Sequence, residues 1–286
     1  MHILPVCSDS LGVRSMCVYV ETGDIKLLID PSAALGPSRY GLPPAVEEWE
    51  ALDKFKAEIR EIAQRCDAFV ISHYHYDHHD PDEDFWCGKR VYAKDPKNNI
   101  NRSQEERAKF FFEKFGGRAE LLSADGNTFS VGNTEISFSQ PLPHGNEKTR
   151  LGYVIATRIE EKGFVFVHAS DVQGPIVEQS ADALISMEPD ILVIDGAPTY
   201  FLGWKFSAKD LERANANLKR IIESTHARII LDHHLLRDLH YMERCPVFKT
   251  GEVETFAEFL GMENNMLEAR RKELTRGYLR EMRSEE

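Results

Sequence analysis

Residues 72–79, Ser-His-Tyr-His-Tyr-Asp-His-His, form a segment whose side chains could bind metal ions. They follow the apolar run at residues 68–71, which is typical of a buried strand. His73 and His75 lie two positions apart, so in an extended stretch both side chains project to the same side. Asp77 and His78 can face a neighbouring site if the chain turns after His75. Imidazole and carboxylate suit zinc, iron or manganese, so the cluster favours a metal site over a histidine-rich surface loop.

Other aspartates and histidines also follow short apolar runs that predict strands. Asp30 ends one such run, Asp171 follows another, and His233 and His234 come after residues 229–231. His144 stands alone in a Pro-Leu-Pro-His-Gly stretch. Each is a weak signal by itself, because Asp or His after a strand is common. Their order along the chain and their placement at strand ends make the set a strong indication when taken with residues 72–79.

These motifs resemble those of the metallo-β-lactamase superfamily. The stretch His73-Tyr74-His75-Tyr76-Asp77-His78 matches its HxHxDH signature, and the other motifs occur in the family's order across most of the chain. Within the superfamily the chain resembles the small archaeal-type predicted hydrolases. The resemblance implies an α/β fold of four layers, an αβ/βα sandwich. Two mixed sheets would face each other, with helices on their outer faces and the site along one edge.

The resemblance also implies a role for each motif residue. It assigns three histidines to the first of two divalent metals, which are His73, His75 and His144. It assigns Asp77, His78 and the last histidine to the second metal, with Asp171 bridging the pair. His233 and His234 compete for the last position, and His233 is preferred because it stands closer to the strand end. Asp30, His79 and His234 are expected to surround the ligands without binding metal, with Asp80 available to orient the His79 ring.

The expected cofactor is a pair of zinc ions, with iron or manganese open because nitrogen and oxygen donors accept several metals. Such a pair can share a hydroxide whose pKa is lowered towards neutrality, and Asp77 could carry a proton to the leaving group. The implied activity is metal-dependent hydrolysis of a phosphoester or cyclic ester, in a small molecule or a nucleic-acid end. An RNA nuclease of the same fold and a metal-bound, non-catalytic binding protein are the alternatives. Candidate substrate-binding residues are Arg39, Tyr40 and Tyr200.

Alternating strand and helix patterns predict one domain over residues 1–286 with a helical C-terminal extension at about 255–286. Strands are predicted at 16–21, 26–29, 68–71, 135–139, 153–158, 164–168, 191–194 and 228–231. Helices are predicted at 44–65, 103–115, 207–224 and 255–283. Ser103 and Glu106 have the spacing of a capping box. Strands come first and then alternate with helices, which fits a two-sheet core with helices outside.

Composition restricts the setting in which this chemistry would operate. The formal net charge is −12, which argues against wide contact with a nucleic-acid duplex. The five cysteines have scattered spacings that indicate neither a thiolate zinc site nor a disulfide framework. The first ten residues lack the pattern of a signal peptide, and no apolar run is long enough to span a bilayer. A cytoplasmic protein without membrane contact is expected.

Overall fold

The first part of the chain forms a six-stranded mixed sheet and two helices. A computed structural model describes the backbone of residues 1–284 and the side chains of residues 1–278. The elements of this part are β1 (His2–Ser8), β2 (Met16–Glu21), β3 (Lys26–Ile29), α1 (Val46–Arg65), β4 (Ala68–Ile71), β5 (Arg90–Ala93), α2 (Arg102–Phe115) and β6 (Glu120–Ser123). The strands lie side by side in chain order. The pairs β1–β2 and β2–β3 are antiparallel, and β3 to β6 run parallel.

The second part forms a seven-stranded mixed sheet, a two-stranded sheet and the remaining helices. Its elements are β7 (Thr128–Val131), β8 (Thr134–Phe138), β9 (Leu142–Pro143), β10 (Tyr153–Val154), β11 (Thr157–Glu161), β12 (Phe164–Ala169), α3 (Glu178–Ser186), β13 (Ile191–Asp195), α4 (Ala208–Thr225), β14 (Arg228–Asp232), α5 (Tyr241–Arg244), β15 (Val253–Glu254), α6 (Phe256–Phe259) and α7 (Leu267–Ser284). The large sheet has the order β15-β14-β13-β12-β11-β8-β7. Strands β12 to β15 run parallel, and the others are antiparallel.

The two large sheets pack face to face, as the alternation of buried side chains in the second sheet shows. Phe166, Val193 and Ile230 share one apolar cluster with the strands of the first sheet and with helix α1. Their neighbours Val167 and Leu192 point the other way and join a second cluster with helices α3 and α4. Successive side chains of a strand face opposite sides, so the second sheet is covered on both faces. The αβ/βα sandwich of four layers predicted from the sequence is confirmed.

The predicted helices at 44–65 and 207–224 agree with α1 and α4 to within two residues, and the other two predictions need correction. Helix α2 begins one residue earlier than predicted because the Asn101 side chain, rather than Ser103, caps it by accepting a hydrogen bond from Gln104 N at 2.8 Å. The predicted helix at 255–283 is divided into α6 and α7. Gly261 follows α6 with φ of 71°, a left-handed conformation that ends a helix. Residues 285 and 286 of the predicted extension lie outside the described residues.

The parallel strands bring the motif residues to one edge of the sandwich. Strand β4 ends at Ile71, immediately before the histidine-rich segment, while β12 and β14 end just before Asp171 and His233. Because the carboxyl ends of parallel strands point the same way, the loops that follow them meet at one edge. Within residues 1–284, no helix has the length and apolar character required to cross a membrane.

Candidate metal centre

The histidine-rich segment turns sharply, and the turn separates its ligand-type side chains into two groups. The backbone amides of His78 and His79 both donate hydrogen bonds to the His75 carbonyl, at 3.0 and 3.2 Å. His73 and His75 therefore lie before the turn and His78 lies within it. Ser32 fixes the loop from outside by donating its hydroxyl to the Tyr76 carbonyl at 2.6 Å.

The first group joins side chains from three separate parts of the chain. Ligand atoms of His73, His75, His144 and Asp171 all lie within 4.8 Å of one another. Asp171 Oδ2 is 2.9 Å from His144 Nε2 and 3.3 Å from His73 Nε2. Donor atoms around a tetrahedral zinc ion, with bonds of about 2.0–2.1 Å, stand about 3.3 Å apart. The spacing of these atoms therefore suits a metal ion.

The second group lies on the other side of the Asp171 carboxylate. It consists of Asp77, His78 and His233, whose ligand atoms also lie within 4.8 Å of one another. Asp171 Oδ1 is 3.2 Å from His78 Nε2 and 3.3 Å from His233 Nε2. Each oxygen of Asp171 thus faces a different group, an arrangement in which a carboxylate can bridge two metal ions through both oxygens. The structure brings together all seven ligand positions that the sequence resemblance implies.

Hydrogen bonds to the far side of the rings determine which nitrogen faces the centre. His78 Nδ1 lies 2.9 Å from Asp30 Oδ2, and His233 Nδ1 lies 2.7 Å from Asp9 Oδ2. A carboxylate can only accept, so each Nδ1 carries the proton and each Nε2 presents a lone pair to the centre. The Nε2 atoms of His78 and His144 are buried and lie close to Asp171, yet neither has a hydrogen bond of suitable geometry within the described residues. Buried polar atoms are rarely left unpaired, so the donor set fits two metal ions.

Asp30 occupies the supporting position beneath the loop that the sequence predicted. Its carboxylate is fully buried and accepts hydrogen bonds from Ser72 N at 2.8 Å and from Ser72 Oγ at 2.6 Å, besides the one from His78. Asp30, Asp171 and His233 all have positive φ, at 48°, 51° and 66°. Backbone strain of this kind costs about 1–3 kcal/mol per residue and concentrates at functional sites.

The electrostatics of the centre favour bound cations. Burial raises the pKa of Asp171, but His78 and His73 outweigh it and hold the pKa well below its usual range. Burial and Arg237 lower the pKa of His233, yet Asp171 and Asp9 raise it to about 9. The buried carboxylates thus attract positive charge strongly enough to draw a proton onto a buried imidazole. Divalent cations satisfy the same demand.

The histidines expected around the ligands have distinct surroundings. His234 Nδ1 lies 3.0 Å from Asp195 Oδ2, and burial raises the pKa of that carboxyl to about 7. His234 also lines the pocket over the metal centre. His79 is held by the His75 carbonyl at 3.0 Å and not by Asp80. The expected role of Asp80 in orienting His79 is wrong, because Asp80 pairs with Lys56 at 2.8 Å.

The three expected substrate-binding residues differ in position. Tyr200 lines the pocket, which has a volume of about 500 Å³, whereas neither Arg39 nor Tyr40 is among its lining residues. Arg39 packs against the ring of Tyr200 at 4.7 Å and donates to the Arg237 carbonyl at 2.9 Å. Tyr40 faces helix α7, where its hydroxyl donates to the Ala269 carbonyl. Arg39 therefore packs against the pocket residue Tyr200, whereas Tyr40 lies against helix α7, and substrate binding by either residue stays a prediction.

Asp9 and three arginines also lie at the site and were not predicted from the sequence. Asp9 is buried in a short 3₁₀ helix after β1 and accepts hydrogen bonds from both His233 and Arg237. Arg237 lines the pocket together with Arg14 and Arg107. Arg237 follows His233 by four residues, a spacing that could have suggested it. Asp9 stands in no motif and carries no comparable signal.

Fold and site together define a protein of the metallo-β-lactamase class with a cluster of histidines and aspartates that fits metal binding, and comparison with known proteins agrees on the class. The family model described as "Beta-lactamase superfamily domain" matches residues 13–231. A UPF0282 protein of the archaeon Methanopyrus kandleri is 44% identical, with 96% of this chain and 99% of the relative covered. The chain therefore belongs to the β-lactamase superfamily and, within it, to the UPF0282 family.

Solved structures support the fold. A possible metal-dependent hydrolase from Veillonella parvula superposes with a TM-score of 0.54 at 12% identity, covering 89% of this chain and 94% of its own. Zn²⁺-bound PqqB from Methylobacterium extorquens gives a TM-score of 0.52 at 12% identity, covering 89% and 97%. At this level of identity the two likenesses show a shared metallo-β-lactamase fold.

Proposed function

We propose that this protein is a dinuclear metal-dependent hydrolase that acts on phosphoesters. The observation that carries the proposal is a pocket in which two groups of metal-ligand side chains and three guanidinium groups converge. A neutral lactone or thioester needs no cation beyond the metals. A phosphoryl group carries negative charge on several oxygens, and guanidinium groups are well suited to bind it.

The first group would hold one ion and the second group the other, with Asp171 between them. When bound, the two ions would supply a water-derived nucleophile at neutral pH and would polarise the phosphoryl oxygen. Zinc is the metal we propose, with iron and manganese compatible with the same donors. Asp77 lies at the pocket wall, where its carboxylate can carry a proton to the departing oxygen.

The arginines are held in fixed positions at the pocket wall. Arg237 is paired with Asp9 at 2.8 Å through Nε, and Arg14 is paired with Glu268 at 2.6 Å through Nε. These ion pairs offset the charge of each guanidinium beside the metal centre and leave Nη1 groups able to contact a ligand. Nη1 of Arg237 is 3.4 Å from the Tyr200 hydroxyl, so both groups can donate to one phosphoryl oxygen.

Metal content and turnover test the proposal together. Purified protein should contain close to two equivalents of zinc, iron or manganese by plasma mass spectrometry. Asp171→Ala should lose both ions, because each oxygen of that carboxylate faces one group. Stoichiometry that saturates at one after reconstitution would contradict the dinuclear site.

A panel of chromogenic esters, lactones and phosphodiesters, with an RNA substrate added, then identifies the reaction. We expect turnover of phosphodiesters and a loss of about 100-fold or more in Arg237→Ala, the usual effect of removing one charge-stabilising donor. Arg220→Ala is the matched control, because Arg220 pairs with Asp182 on the outer helices. Turnover confined to lactones would overturn the phosphoester assignment. Full metal content without any turnover would favour a binding protein.

The expected setting is part of the proposal. The substrate would be a small phosphoester or the end of a nucleic acid, without extensive duplex binding or membrane contact. A cytoplasmic location is supported by the five cysteines, all of which are free thiols and four of which are buried.

A further inference from the structure

A second cavity lies beside the metal pocket and shares part of its wall. It has a volume of about 750 Å³, within the range of small-molecule sites. Ala34, Leu35, Pro37 and Tyr76 line both cavities. We call the second cavity the aromatic groove, because its remaining wall is formed largely by aromatic and apolar side chains. Because Tyr76 lines both cavities, a ligand bound in the metal pocket and reaching past this ring would enter the groove.

Three aromatic side chains of the groove are unusually exposed. Trp49 on α1, Tyr76 in the metal loop and Phe110 on α2 have exposed fractions of 52%, 49% and 50%. Large apolar groups gathered in one cavity and left open to water commonly mark a binding site. The groove thus offers apolar ring surface next to a centre suited to anions.

Tyr76 stands at the boundary between the two cavities and is held in place. Its ring stacks with His79 at 5.6 Å, and the Arg107 guanidinium lies 4.5 Å from the ring centre. Arg107 also lines the metal pocket and donates to the Tyr74 carbonyl at 3.2 Å. Arg107 therefore lines the metal pocket and also fixes the Tyr76 ring, which separates that pocket from the aromatic groove.

The charges of the groove differ from those of the metal pocket. No arginine is among the groove's lining residues, and its only lysine, Lys56, is paired with Asp80 at 2.8 Å. Asp82 adds a second carboxylate to the rim. A second anionic group would be repelled here, whereas an uncharged ring with polar edges would find aromatic walls and a polar rim. A nucleobase has these properties.

We propose that the aromatic groove binds the nucleoside of a nucleotide phosphoester whose phosphate lies at the metals. The inference rests on the proposed function, because it assigns the rest of the molecule whose phosphoester bond is cleaved. Trp49 and Phe110 supply the stacking surface, and Tyr76 directs the sugar from one cavity to the other.

Binding of phosphonate analogues tests this assignment without turnover, because the carbon–phosphorus bond resists hydrolysis. Calorimetry on the zinc-loaded full chain should show the phosphonate analogue of adenosine monophosphate binding about 10-fold or more tighter than that of ribose phosphate. Trp49→Ala and Phe110→Ala should remove this difference while inorganic phosphate binding stays unchanged. Phe164→Ala is the control, since Phe164 is an exposed ring at the end of β12 away from Asp171.

The outcomes separate the groove from the metal pocket. Equal binding of the adenosine and ribose analogues, with phosphate still bound, would overturn the groove assignment and leave the proposed function intact. Failure of phosphate and both analogues to bind would overturn the two together. Benzyl phosphonate binding as tightly as the adenosine analogue would show that a simple aryl group, and not a nucleoside, is the occupant. An unchanged preference in Trp49→Ala and in Phe110→Ala would also refute it.

Discussion

Replacing Asp30 tests whether a residue that is predicted to support the ligands without binding metal sets the geometry of the candidate metal centre. Its carboxylate accepts three hydrogen bonds, two from Ser72 and one from His78, and is shielded from solvent. Losing such support around a ligand lowers metal affinity about 10–100-fold, equivalent to about 1.4–2.7 kcal/mol. Unpaired buried donors cost about 1–3 kcal/mol each, so Asp30→Ala should also destabilise the fold by about 3 kcal/mol or more.

Asp30→Asn separates these two effects. Ser72 N needs an acceptor, so the amide oxygen must occupy the Oδ1 position and the amide NH₂ the Oδ2 position. His78 Nδ1 would then accept a hydrogen bond, and its proton would move to Nε2, the atom that faces the second metal. Asparagine tolerates the left-handed backbone of this position. The variant should stay close to wild type in stability and lose metal affinity by at least 10-fold.

Competition between the protein and a chromogenic zinc chelator measures the affinity, and urea unfolding of the metal-stripped protein measures the stability. Asp190→Asn is the matched control, because that carboxylate accepts from Val165 N at 2.7 Å at the far end of the sheet. It should leave zinc affinity unchanged. An Asp30→Asn protein that binds two zinc ions with wild-type affinity would refute the argument that hydrogen bonding at Nδ1 controls the ligand nitrogen.

Two further predictions concern the last histidine and the support of Arg14. His233→Ala should lose one metal ion or lower the affinity for it by orders of magnitude, whereas His234→Ala should keep both ions. The reason is that His233, and not His234, lies in one group of ligand atoms with Asp77 and His78. The reverse metal contents would assign the ligand to His234. Burial raises the pKa of Glu268, but Arg14 outweighs it and lowers the pKa from 4.5 to about 2. Ionised Glu268 therefore contributes about 3 kcal/mol of stability, complete above pH 4.5 and lost as the pH falls towards 2. Glu268→Gln should accordingly be less stable than wild type when metal-stripped protein is unfolded in urea at about pH 7. The difference in stability should shrink below pH 4.5. A difference that is constant with pH would show that it does not come from the ionised Glu268 carboxylate.

The sequence predicted the sandwich and the convergence of the ligands because both depend on strand ends. Apolar runs such as 68–71 are short, buried and bounded by polar residues, so β4 was placed to the residue. The residues that follow these runs must surface at one edge once the strands are parallel. The resemblance to the metallo-β-lactamase superfamily identified His144, Asp171 and His233, although each is separated from the histidine-rich segment by many residues.

Contacts that depend on packing between distant segments could not be predicted. Asp9 stands 224 residues before His233, and nothing in its own neighbourhood indicates the hydrogen bond between them. The same holds for Arg14, whose partner Glu268 belongs to helix α7. The positions of Arg39 and Tyr40 outside the pocket lining could not be predicted for a related reason. A loop near the site was identified, but helix α7 and Arg237 determine which way its side chains face.

The supporting hydrogen bonds make the metal centre a property of both sheets together. Asp9 follows the first strand of the first sheet and orients His233, which follows a strand of the second sheet. Conversely, Ser170 follows strand β12 of the second sheet and lies 3.2 Å from Nδ1 of His78, which follows a strand of the first sheet. The backbone amide of Ser10, after β1, also donates a hydrogen bond to the Asp232 carboxylate of the second sheet at 3.1 Å. A change in the packing of the sheets would therefore move the ligand nitrogens even if every ligand were retained. Asp171 lies between two groups that are only about 3 Å from its oxygens and tolerates little movement. The tight apolar core between the sheets is therefore itself a requirement for the proposed dinuclear site.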